Sequence, residues 1–155
     1  MMRPIPPLAL ALVAGASQAA IARGRRSTRG SRIAAAAVAV PSVALLVGSA
    51  RAFRRAGTTV DPRQGVTSDA LVTGGPNALS RNPMYVGMAG MLLSHAAARR
   101  SIGALVPAVA FTAWIDRIQI PMEEVHLTDR FPKQFTAYRN AVPRWIGRPR
   151  TPRQR

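Results

Sequence analysis

Two short clusters hold most of the residues able to do chemistry. Arg81, Asn82 and Tyr85 lie where a polar loop turns into an apolar helix, while Glu123 and Glu124 follow the next apolar run and Arg144 comes later. Asn82 suits an N-cap and Pro83 the first helical position, because the proline ring presets φ and its missing N–H costs the helix nothing. The other amides of that turn have no carbonyl in their own helix. With the positive end of the helix dipole and Arg81, they suit a carboxylate or another anion, although a plain, well-capped helix accounts for the same residues. Glu123 and Glu124 offer the opposite charge. Among only 6 acidic residues, two adjacent carboxylates beside an apolar region, with Asp116 nearby, need cations from arginines or from a ligand. His126 adds a proton acceptor. His95 has no second ligand at metal spacing and reads as a packed, hydrogen-bonded residue, so no metal site is expected.

The elements that must position these clusters are apolar. Pro4 to Ala22 and Ile33 to Ala50 are uncharged and close to the roughly 20 residues needed to cross a bilayer as helices. They read as an anchored hairpin, with Pro41 tolerated inside the second span. Arg51 to Arg81 reads as a structured loop rich in Gly and Pro. Met84 to Ala98 and Ile102 to Ile115 form a second helical hairpin, whose second arm can continue to Ile120 and is expected to kink at Pro107. Phe131, Phe135, Tyr138 and Val142 then recur at spacings of four, three and four, which predicts an amphipathic helix running on from Pro121. Its aromatic stripe, with Trp145, also suits an interfacial anchor.

The expected fold is all-α: a membrane helical bundle of about four transmembrane helices with a C-terminal amphipathic cytoplasmic helix. Residues 1–50 form the first hairpin, 51–147 the core and 148–155 a basic tail. The composition agrees. Of 155 residues, 48% are hydrophobic and 18% charged, and the net charge of +16 comes from 22 basic residues, of which Lys133 is the only lysine. The arginines flank apolar runs instead of forming a continuous basic face, which disfavours nucleic-acid binding. With four spans, 15 basic residues fall on the side of the capped helix and the tail and seven on the other. The positive-inside rule then puts the capped helix in the cytoplasm. No cysteine is present, which removes disulfides, thiolate metal sites and cysteine nucleophiles.

Taken together, Arg81-Asn82-Pro83-Met84-Tyr85-Val86-Gly87, then Glu123-Glu124-Val125-His126-Leu127, Phe131, Tyr138 and Val142-Pro143-Arg144-Trp145-Ile146 resemble the isoprenylcysteine carboxyl methyltransferase family and its bacterial relatives, which are also similar to phospholipid methyltransferases. Ala56 to Pro62 and Leu71 to Pro76 resemble the approach to the motif in bacterial members. The resemblance covers roughly residues 50 to 147. It implies an integral membrane enzyme that transfers a methyl group from S-adenosylmethionine to an acceptor entering from the lipid.

By that resemblance Arg81, Asn82, Tyr85 and Gly87 belong to the cofactor motif, Glu124 with Glu123 to the acidic pair, and Phe135 and Tyr138 to an aromatic tail that closes over the adenine with Trp145. Glu123, Glu124 and His126 are candidate bases for an amine or hydroxyl acceptor, while Arg81 or Arg144 can orient an anionic one. Asn77-Ala78, Pro132 and Phe135 depart from the family pattern. Asn77-Ala78 and Pro132 motivate an alternative, a non-catalytic membrane structural or interaction protein that keeps the helix pattern.

Overall fold

The computed structural model describes residues 5–56 and 71–147. The expected loop segment over 57–70, the start of the first span and the basic tail at 148–155 lie outside the described residues. Within them the chain is helical, with no strand. Pro6 and Pro7 start α1 (Pro7–Ile21). A reciprocal pair, Thr28 with Ser31, caps α2 (Arg29–Arg55), in which Pro41 is internal. A short 3-10 turn (Gly75–Ala78) leads to α3 (Pro83–Ala98), α4 (Leu105–Trp114), a π-turn (Ile115–Gln119), α5 (Ile120–Arg130) and α6 (Pro132–Ala141).

The four apolar helices run alternately up and down. At one end Ser31 Oγ donates to Ala98 O at 3.1 Å and Arg99 donates to Ala22 O at 3.2 Å, so the α1–α2 and α3–α4 connections meet. Arg100, at φ 51°, supplies the left-handed residue that ends α3. Its amide and that of Ser101 bond back to Ala97 O and Ala96 O, which satisfies the last helix carbonyls. Inside the bundle Gln18 is fully buried; its Nε2 donates to Leu92 O at 3.0 Å and Ala104 O at 2.6 Å. Its Oε1 can then only accept, so His95 Nδ1 donates to it at 3.0 Å. His95 is thus the hydrogen-bonded residue expected, and Gln18 ties α1 to both arms of the second hairpin.

Among the described residues only α2, at 27 residues, is long and apolar enough by itself to cross a membrane. The 15 residues of α1 extend about 22 Å at 1.5 Å per residue, short of a roughly 30 Å hydrocarbon core. Large apolar side chains nevertheless face outward, including Leu12 at 66% exposure, Val40 at 69% and Val106 at 66%, as a lipid solvent allows and water does not.

Three local expectations change. The single amphipathic helix is two helices, because Pro132 disfavours helical geometry in the residue before it and Phe131 sits at φ −129°, ψ 57°. Pro107 does not kink an arm. It falls in the first turn of α4, where its missing N–H has no helical partner to lose. Asn82 occupies the N-cap position, but its side chain makes no capping bond.

The tightest packing is between α2 and α3. A Cβ on Gly87 would stand 2.8 Å from the backbone oxygen of Ser42 and 2.7 Å from Leu46 Cγ, while one on Gly90 would collide with the Ser42 side chain. Ser94 Oγ donates to Ala35 O at 2.9 Å along the same seam. Small residues here let the backbones approach, which is how helices associate without a hydrophobic driving force between them. Gly87→Ala should therefore destabilise the detergent-solubilised protein by about 1–3 kcal/mol. Gly74→Ala, where a Cβ meets nothing within 4 Å, should change the melting temperature little.

Candidate functional site

The two polar clusters, some forty positions apart in sequence, meet where the apolar helices end. Arg81 is mostly buried, and its Nη2 donates to Glu124 Oε1 at 2.8 Å. Arg144 donates from Nη2 to the other oxygen of Glu124, also at 2.8 Å. Glu124 is thus held between two guanidinium groups. Burial alone would push its carboxyl up, but the hydrogen bonds from Arg144 and Arg81 outweigh this and hold it below the usual carboxylate range. The same bonds raise Arg144, which stays charged.

Arg81 also anchors the segment after α6. Its Nη1 donates to Val142 O at 2.8 Å and Arg139 O at 3.0 Å, and its amide donates to Pro143 O at 2.9 Å. Ser80 Oγ and Asn82 Nδ2 both donate to Arg144 O, at 3.0 and 3.1 Å. On the far side Asp116 Oδ1 accepts from Trp145 Nε1 at 2.8 Å and Arg144 Nη1 at 3.3 Å. Residues 142–145 therefore form a strap fastened to the motif loop, the acidic pair and the end of the second hairpin. Trp145 packs against the apolar core cluster to which Tyr85 and Ile115 belong.

Glu123 has a different environment. Its Oε1 accepts from the Tyr85 hydroxyl at 2.5 Å and from Gln119 Nε2 at 2.7 Å, and Oε2 has no partner among the described residues. Burial pushes Glu123 above the usual carboxylate range, against the hydrogen bonds from Gln119 and Tyr85. Adjacent carboxylates thus titrate in opposite directions, an arrangement that separates acid–base roles. With Asn82 not capping, the Met84 and Tyr85 amides have no acceptor in their own helix.

The other candidates lie as follows. Phe135, 2% exposed, stacks at a tilt on Tyr138 with ring centroids 6.5 Å apart. The Tyr138 hydroxyl donates to Asn77 O at 2.6 Å, and burial pushes its ionisation up to about 12. The Tyr138 hydroxyl therefore ties α6 to the 3-10 turn. Gly87 is occupied in the α2–α3 contact. His126 is exposed, and its Nδ1 lies 2.7 Å from Met122 O, one turn back on its own helix. Sequence reasoning missed Ser80, Gln119 and the clasp made by Asp116. Gln119 carried a usable signal, since it stands one turn before Glu123. A groove of about 430 Å³ opens between α3 and α4, lined by Leu93, Val109 and Thr112 and ending at Asp116, Arg117 and Trp145.

The pairing has a pH signature. Because Glu124 is lowered in the fold, its stabilising contribution is present above the unfolded carboxylate value and is lost as pH falls through the lower folded one. Arg144→Ala should remove part of it, costing about 1–3 kcal/mol and flattening the decline in melting temperature below about pH 4.3.

A family model described as phospholipid methyltransferase matches residues 31–134, two thirds of the chain. The match contains α2 to α5 with both polar clusters and stops before Phe135 and the strap. No curated protein and no solved structure gives a significant match. The chain therefore belongs to the phospholipid methyltransferase family, whose members are membrane methyltransferases acting on lipid-like substrates.

Proposed function

We propose that this protein is an integral membrane methyltransferase that uses S-adenosylmethionine and modifies a lipophilic acceptor. The observation that carries the reading is the meeting of the motif turn with the acidic pair through the 2.5 Å bond between Tyr85 and Glu123. Around that bond stand the amides of Met84 and Tyr85, suited to an anion, and Glu123 Oε2, suited to a cation. These fit the carboxylate and the positively charged centre of the cofactor's amino-acid portion. The cofactor supplies the activated methyl group on its sulfonium. Residues Arg81, Asn82, Glu124 and Arg144 fix the site's frame, and Phe135 and Tyr138 brace it from α6.

Four spans, with residues 1–50 as an anchor and 51–147 as the working core, put this site on the cytoplasmic side by the distribution of arginines. The α3–α4 groove receives the apolar part of the acceptor, and its polar end at Asp116 and Trp145 brings the reacting atom beside the acidic pair. An acceptor carboxylate would take the methyl group as the methyl–sulfur bond breaks and the neutral thioether leaves, and would need no base from the chain. An amine or hydroxyl acceptor gives up a proton, and Glu123 takes it at Oε2.

One observation favours a second reading. Arg81, Asn82 and Glu124 all bind the chain's own residues, as they would in a structural protein that had lost turnover. Calorimetry on purified protein in detergent separates the two. The methyltransferase reading expects S-adenosylmethionine binding that weakens about tenfold in Glu123→Ala, the effect of losing one charged partner. No binding by a folded protein would exclude it. Undiminished binding in Glu123→Ala and Tyr85→Phe, without methyl transfer to any lipid extract, would favour the structural role.

A further inference from the structure

The turn between α4 and α5 is irregular for a reason visible in the sequence. Pro121 has no N–H to offer the carbonyl of Arg117, and in a regular helix its ring would crowd that oxygen. The chain widens by one residue per turn instead, so that the amide of Ile120 bonds to Ile115 O, five residues back. Gln119 ends this π-turn with only 2% of its surface exposed. Its side-chain amide donates at 2.7 Å to the same Glu123 oxygen that accepts from Tyr85. A glutamine buried at that depth needs its polar atoms satisfied, and Glu123 Oε1 is the acceptor supplied.

We propose that Gln119 is a positioning residue: the π-turn made by Pro121 rotates it inward to grip the Oε1 edge of Glu123, which leaves Oε2 as the oxygen presented to the site. The assignment rests on Glu123 being the working carboxylate of the proposed methyltransferase. Two donors on one oxygen orient the carboxylate plane and favour its charged form, whereas burial opposes that form. The titratable and charged neighbours that face Glu123 are Tyr85 from α3 and Glu124 and His126 from its own helix. Arg81 and Arg144 are occupied by Glu124. Gln119 thus adds, without adding charge, a hydrogen bond that favours the charged form of Glu123 against its burial.

The test reads Glu123 directly. In full-length protein in detergent, pH-difference infrared spectra resolve the carbonyl stretch of the protonated carboxyl, assigned by its loss in Glu123→Gln. Gln119→Met and Gln119→Leu keep bulk and remove the donor, and each should move the midpoint upward by about one pH unit. An unchanged midpoint in a folded variant overturns the proposal, as does loss of the fold in both variants, which would make Gln119 a packing residue. Methyl transfer by Glu123→Gln is measured alongside. Transfer equal to the wild type would refute Glu123 as the working carboxylate, whereas inactive Glu123→Gln with an unshifted midpoint in the Gln119 variants refutes only the role of Gln119.

Discussion

A carboxylate held between two arginines organises the polar end of this helical bundle. Glu124 cannot be desolvated beside a bilayer without cations, and Arg81 and Arg144 supply them from opposite directions in sequence. Because Arg81 also grips the carbonyls of Arg139 and Val142, one guanidinium joins the motif loop, α5 and the strap after α6. Asp116 completes the closure through Trp145 and Arg144. Glu123 takes no part in this clasp: its Oε1 is held instead by Tyr85 and Gln119.

The frame is held at two further levels. Gly87 and Gly90 let α3 lie against Ser42 of α2, which fixes where the first turn of α3 stands relative to α2. Toward the opposite end, buried Gln18 satisfies two backbone carbonyls and the ring of His95 at once. In an apolar surround those polar contacts have no water to compete with them, so they specify how α1 sits on the second hairpin. The site is thus placed by backbone approach and buried amides, not by a large core of big side chains.

Much of this was legible in the residues. The Asn82-Pro83 start, both hairpins and the nearness of the acidic pair to the motif follow from capping chemistry, apolar run lengths and the scarcity of carboxylates. The break at Phe131 was signalled by Pro132, yet the aromatic spacing from Phe131 to Val142 obscured it, because that stripe belongs wholly to the C-terminal piece beginning at the break. Whether arginines or a ligand meet Glu124 was open in the sequence, and the answer depends on a strap whose path no local pattern encodes. Gly87 stood in the family motif, but its closeness to Ser42 is a tertiary fact. The inward turn of Gln119 comes from a π-turn that helical periodicity does not register.

The central claim is that the meeting of Tyr85 with Glu123 marks a site where a methyl group passes to a lipophilic acceptor. Incubating the full-length protein in native membrane extract with methyl-labelled S-adenosylmethionine, then separating lipid from protein and water-soluble fractions, measures this most directly. A membrane methyltransferase places label in a discrete lipid species, with incorporation at least about a hundredfold lower in Glu123→Gln if the acceptor must lose a proton. Folded wild-type protein that places no label in any lipophilic product would contradict it.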